Sequence, residues 1–169
     1  KANGETWYYH DVNSEAYIAR NTNSYVSTDL IIPKVLDEYP VVGIVDGAFK
    51  GNKHNIQSII IPNSVTDIED YAFRLCSGLK HIIFEDGTEE LLLNKNTYSG
   101  FYDCPLDTVY LGRNLSYKTY PFKGKRTLKS IIIGNNVNKI GENEFNGCTG
   151  LESVTIGNSV TVIGKFAFG

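Results

Sequence analysis

SIIIPNSVTDIEDYAF at residues 58–73 returns, 95 residues later, as SVTIGNSVTVIGKFAF at 153–168. A chain that repeats itself is built from stacked copies of one unit, and missing the period misreads the whole fold. Sliding the sequence along itself finds the unit three more times. Each copy opens on Leu or Ile, runs through S-I/V-x-I and P/G-N-x-V to I-G/E, and closes on A-F-x-x-C. The copies start at Ile56, Leu79, Leu106, Leu128 and Leu151, at intervals of 23, 27, 22 and 23 residues. Their aligned phenylalanines are Phe73, Phe101, Phe122, Phe145 and Phe168. An earlier, distorted copy runs from the strand-like DLIIP at 29–33 to Ile44 and Phe49, which makes about six copies over residues 27–169.

A period this short, with a strand in each copy, is the mark of a solenoid. In LKSIII at 128–133, alternation sends Leu128, Ile131 and Ile133 inward and leaves Lys129, Ser130 and Ile132 outside. Pro or Gly then turns the chain. Val137, Ile140 and Phe145 are expected to close the other side of the same core. No copy can bury its apolar set alone, so copies stack and their strands pair in parallel, about 4.8 Å apart.

LESVTIGNSVTVIGKFAF at 151–168 resembles the consensus of the BspA-like class of leucine-rich repeats. YPVVGI at 39–44 resembles that family's first repeat. Residues 1–26, with WYY at 7–9 and AYIA at 16–19, look like the β-hairpin that precedes such arrays. The resemblance implies an α/β leucine-rich-repeat solenoid that is β-rich. It would carry a parallel sheet on the concave face, short strands and helical turns on the convex side, a hairpin cap at 1–26 and the array at 27–169. It also implies an extracellular or cell-surface protein that adheres to host or neighbouring-cell macromolecules, with a protein or glycan ligand and no catalysis. The competing expectation is a structural spacer that presents another domain. Gly169 falls inside a copy, so the array is expected to be truncated there. The apolar edge of that copy (Leu151, Val154, Ile156, Ile163, Phe168) is then expected to favour self-association.

Two places are candidates for binding. On the strands, the fifth position of each copy reads Ile31, Ile60, Ile83, Tyr110, Ile132 and Thr155, a row of large apolar groups facing water. Contiguous exposed apolar surface marks interfaces. The bland alternative is that β-branched residues stack well in a parallel ladder. Beside the row run Gln57, Lys80, Asp107, Lys129 and Glu152, and Ser58, His81, Thr108, Ser130 and Ser153, a rim of mixed charge. The second candidate is the irregular middle of the array. There EDGTEELLLNKNTYSG (85–100) reads as an inserted loop, Lys118 stands near where the pattern wants Ile, and Lys125 stands where it wants Cys. The same zone holds Tyr98, Tyr102, Tyr117 and Tyr120, and interfaces favour tyrosine. Drift in a tolerant solenoid loop is the competing reading.

Other chemistry finds little support. A net charge of −3 offers no basic face for nucleic acid. No apolar run is long enough for membrane insertion. Cys76, Cys104 and Cys148 each follow the aligned Phe by three residues, so they are expected as free, buried core thiols; a Cys76–Cys104 bridge is the alternative. His10, His54 and His81 are scattered, and no metal or cofactor fingerprint appears. DVNSE at 11–15 begins like a calcium loop but lacks its Gly and final Glu. The acidic pairs Glu69–Asp70, Glu85–Asp86 and Glu89–Glu90 fall in turns, where solvated charge outweighs glycoside chemistry. Asn114-Leu-Ser116 matches the N-glycosylation pattern.

Overall fold

The computed structural model describes residues 6–21, 28–51, 56–94 and 100–169. Tyr98 and His54 lie outside them. The chain winds about five turns of β-solenoid, with a strand on each of two sides of nearly every turn.

The S-I/V-x-I segments make the first side. They form β3 (Asp29–Ile31), β6 (Ser58–Ile61), β8 (His81–Phe84), β10 (Thr108–Leu111), β12 (Ser130–Ile133) and β14 (Ser153–Ile156). All six pair in parallel, each with its neighbour in the repeat order. The second side contains β1 (Trp7–Val12), β2 (Glu15–Asn21), β4 (Val35–Leu36) and β5 (Tyr39–Ile44). It continues through β7 (Asp67–Ile68), β9 (Leu91–Leu93) and β11 (Leu115–Tyr117). Further on, β13 (Lys139–Ile140) and β15 (Val162–Ile163) form a separate two-stranded sheet.

The core lies between these sides. Leu128, Ile131, Ile133, Val137, Ile140 and Phe145 are all buried, so the strand alternation holds. Six phenylalanines stack along the axis: Phe49, Phe73, Phe101, Phe122, Phe145 and Phe168, with centroids 4.9 to 6.1 Å apart and planes within 16°. Trp7 meets the first of them edge-on at 6.3 Å.

Residues 7–21 form an antiparallel β-hairpin. Asn13 and Ser14 both take positive φ (52° and 64°), the pattern of a two-residue type I′ turn, and Asp11 Oδ1 accepts the Ser14 N–H. DVNSE is therefore a hairpin turn. The hairpin continues the second sheet: β2 pairs in parallel with β5, and Tyr17 lies flat on Gly43, where any Cβ would collide with its ring.

Two expectations are corrected. Among the described residues no helix is present on any side. The turns before each Phe close with bonds to the third residue back, such as Arg74 N–H to Tyr71 O and Asn146 N–H to Asn143 O. Tyr71, Leu75, Asn143 and Phe166 take positive φ there, which a right-handed helix excludes. Their amides also reach sideways, Phe73 N–H to Gly100 O and Phe145 N–H to Ala167 O, which consumes donors a helix would need. Second, residues 85–100 are not simply an inserted loop. Leu91–Leu93 make β9, with Leu91 and Leu93 fully buried, and β9 links β7 to β11.

Candidate functional site

The outer face of the six-stranded sheet carries two rows. Strand register places Ile31, Ile60, Ile83, Tyr110, Ile132 and Thr155 in one unbroken line. Ile31, Ile83 and Ile132 stay 48%, 40% and 44% exposed, while Ile60 and Tyr110 are half-buried. The adjacent row is Asp29, Ser58, His81, Thr108, Ser130 and Ser153. Its groups bond to one another: Ser58 Oγ donates to Asp29 Oδ1 at 2.5 Å, His81 Nδ1 lies 2.7 Å from Thr108 Oγ1, and Ser153 Oγ lies 3.0 Å from Ser130 Oγ. Three pairs of polar groups in this row are thus used internally, beside the partly exposed apolar row. Tyr110 is held rather than loose. Its hydroxyl donates to Asp86 Oδ1 at 2.7 Å, a bond that raises the phenol's pKa. At the rim, Lys80 is exposed and Lys129 pairs with Asp107 at 3.5 Å. Ile60, Ile83, Tyr110, Ile132 and His81 therefore share one face, with Lys80 exposed just before β8.

Among the described tyrosines of the second candidate edge, Tyr102 has one set of ring contacts and Tyr117 and Tyr120 another. Tyr102 is 51% exposed beside Arg74, whose guanidinium also lies over Tyr71. Tyr117 and Tyr120 form a separate edge-to-face pair with centroids 6.0 Å apart. Register also corrects the alignment: the column Ile44, Ile68, Leu93 continues into Tyr117, while Lys118 is exposed beside it. A tyrosine overfills an isoleucine slot, so Tyr117 extends toward the next coil. Its hydroxyl lies 3.3 Å from Glu144 Oε2 and 3.4 Å from Glu142 O. Gly141 makes that crossing feasible, since a Cβ there would strike the hydroxyl.

Glu144 occupies the column that is alanine at Ala48, Ala72 and Ala167, each directly before its aligned Phe. It is 2% exposed, and burial pushes its carboxyl up to about 7, against the opposing pull of the Gly141 N–H, the Tyr117 hydroxyl and Lys139. Burial, reinforced by Glu144, raises the Tyr117 phenol as well. The second sheet breaks at this point, because β11 pairs with β9 but not with β13. Asn114 bridges the gap by accepting the Asn138 and Lys139 N–H groups on Oδ1 at 3.1 and 3.3 Å. A cavity of about 370 Å³ opens over the break. Tyr117 and Glu144 are two departures from the repeat that meet in space.

Three such residues escaped the sequence reading or were read there only as gaps in the pattern. Glu144 was legible as a glutamate in an alanine column. Arg113 stands where other copies have Asn63, Asn135 or Asn158; it is fully buried and donates to Asn63 O and Pro62 O two coils away, at 3.1 and 2.9 Å. Burial brings its guanidinium down to about 10. Lys125 replaces the repeat's Cys. Cys76, Cys104 and Cys148 are free, and each directs its Sγ to the Phe carbonyl of the preceding coil: Phe49, Phe73 and Phe122. Lys125 Nζ donates to the equivalent carbonyl, Phe101 O, at 2.6 Å.

The acidic pairs do not converge. Glu69 accepts the Asp46 N–H, Glu85 pairs with Lys34 at 2.9 Å, and Asp86 holds Tyr110, so these carboxylates link coils. Among the described residues no group of His, Cys, Asp and Glu has metal-binding geometry. Also among them, no helix is long and apolar enough to cross a membrane.

With parallel strands, a phenylalanine ladder and a thiol column in fixed register, the comparison with known proteins is direct. The model of the BspA-type leucine-rich-repeat region matches residues 43–169 in six copies. The chain belongs to the BspA-type leucine-rich-repeat family. Similar solved structures share the fold. A leucine-rich cell-surface protein of Faecalibacterium prausnitzii A2-165 is 24% identical with a TM-score of 0.63, covering 99% of this chain and 45% of its own. A leucine-rich-repeat protein of T. pallidum is 20% identical with a TM-score of 0.58, covering 97% and 85%. A third, from Bacteroides ovatus ATCC 8483, is 18% identical with a TM-score of 0.52, covering 98% and 49%. The chain thus spans less than half the length of the Faecalibacterium protein. No match emerged among functionally curated proteins.

Proposed function

We propose that this BspA-type repeat module is a non-catalytic binding protein of the cell surface, and that the outer face of the six-stranded sheet takes a macromolecular partner. The observation that carries this reading is the row from Ile31 to Ile132, in which Ile31, Ile83 and Ile132 are exposed and Ile60 and Tyr110 half-buried, beside polar groups that bond to one another. A partner with a complementary apolar ridge gains by covering that row, and the alternating charges Lys80, Asp107 and Lys129 fix its register at the rim. The described cell-surface relative supports the location. Adhesion to host or neighbouring-cell proteins is the role that fits both.

The test is a capture screen against immobilised matrix proteins and mucins, run with the wild-type chain and an Ile83→Asp, Tyr110→Ser variant whose circular dichroism matches wild type. Capture lost by the variant supports the reading. Capture that survives removes the sheet face from it. A chain that captures nothing from a broad panel behaves as a spacer.

A further inference from the structure

We propose that the cavity over the break between β11 and β13 is a saccharide-binding site, separate from the sheet face, that takes a neutral sugar of one or two pyranose rings. The inference rests on how the cavity is lined, and it stands whether or not the sheet face binds a protein.

Tyr117 and Tyr120 both line the cavity and pack edge to face, with planes at 71° and centroids 6.0 Å apart, so together they form an aromatic wall at one corner of it. A pyranose ring offers one face of C–H groups to such a wall and a fringe of hydroxyls to its surroundings. The rest of the lining suits that fringe: Glu90 and Glu142 supply carboxylate acceptors, and Lys118 and Lys139 supply ammonium donors. Two negative and two positive groups balance, which argues against a ligand carrying strong charge of either sign. The volume, about 370 Å³, lies at the lower end for small-molecule sites and suits one or two rings rather than a long chain in a groove.

The corner is also preorganised. Tyr117 is fixed at its hydroxyl by Glu144 and the Glu142 carbonyl, and Lys123 lies over the Tyr120 ring at 5.3 Å. A wall whose rotamer is already set loses little entropy when a ligand arrives. Glu144 does not line the cavity itself but holds the hydroxyl of Tyr117, which does. It acts as a positioning residue for Tyr117.

The experiment is a titration of the isotope-labelled chain with glucose, galactose, mannose, N-acetylglucosamine, cellobiose and lactose, followed by amide and tyrosine-ring chemical shifts. At least one sugar is expected to move Ser116, Tyr117, Lys139 and Gly141 together, with saturation in the millimolar range. Glu142→Gln and Lys139→Ala both change exposed side chains and leave the core intact; each is expected to weaken that response at least several-fold. Tyr120→Ala is expected to abolish it, with circular dichroism checking the fold. The proposal is overturned if no sugar in the panel shifts these residues. It is equally overturned if the shifts are indifferent to Glu142→Gln and Lys139→Ala, or map to the row around Ile83.

Discussion

Lys125 shows how one residue can break a repeat's spelling and keep its function. A thiol and an ammonium share the capacity to donate to a carbonyl, and that donation is what the column requires. Lys125→Cys is therefore expected to change stability by less than about 1 kcal/mol, whereas Lys125→Met leaves Phe101 O without this donor and costs about 1–3 kcal/mol. Denaturant melts of the two variants separate these outcomes. Glu144 makes a different prediction. A carboxyl whose folded-state pKa lies above its unfolded value of 4.5 binds its proton more tightly in the folded protein. The stability it contributes is complete below 4.5 and is lost as pH rises through about 7, a fall on the order of 3 kcal/mol. Tyr117 and Lys139 face the same group and keep the loss from being larger. Glu144→Gln should flatten the dependence over that window and melt above wild type at pH 8. Equal pH profiles would mean that Glu144 is not buried as described.

At the scale of the element, the six-strand register and the phenylalanine ladder were both legible, because they follow from alternation and a fixed period. Phe73→Ala or Phe145→Ala removes one ring from a continuous stack and should cost about 3–5 kcal/mol in chemical denaturation. A loss below about 1 kcal/mol would contradict the ladder. The convex turns were misread as helical, since their lateral bonds and positive φ values depend on the neighbouring coil, which a one-dimensional pattern does not display. Leu91–Leu93 were hidden for a related reason: the longer interval there looks like an insertion until β7 and β11 are seen on either side. The one-residue slip between Lys118 and Tyr117 comes from a shorter copy, and only pairing with Leu93 resolves it. The exposed row of the six-stranded sheet follows from strand alternation, whereas the cavity does not, because it opens where the second sheet breaks between β11 and β13.

For the whole molecule, an exposed row containing Ile31, Ile83 and Ile132 lies on one sheet, and a hollow lined by Tyr117, Tyr120 and charges of both signs lies where the other sheet breaks. The most direct test of the central claim is a dose–response of wild type and Ile83→Asp, Tyr110→Ser on one captured matrix protein, measured beside Lys139→Ala. The account predicts that binding collapses in the sheet-face variant and persists in Lys139→Ala. Equal binding by the sheet-face variant and wild type would contradict it.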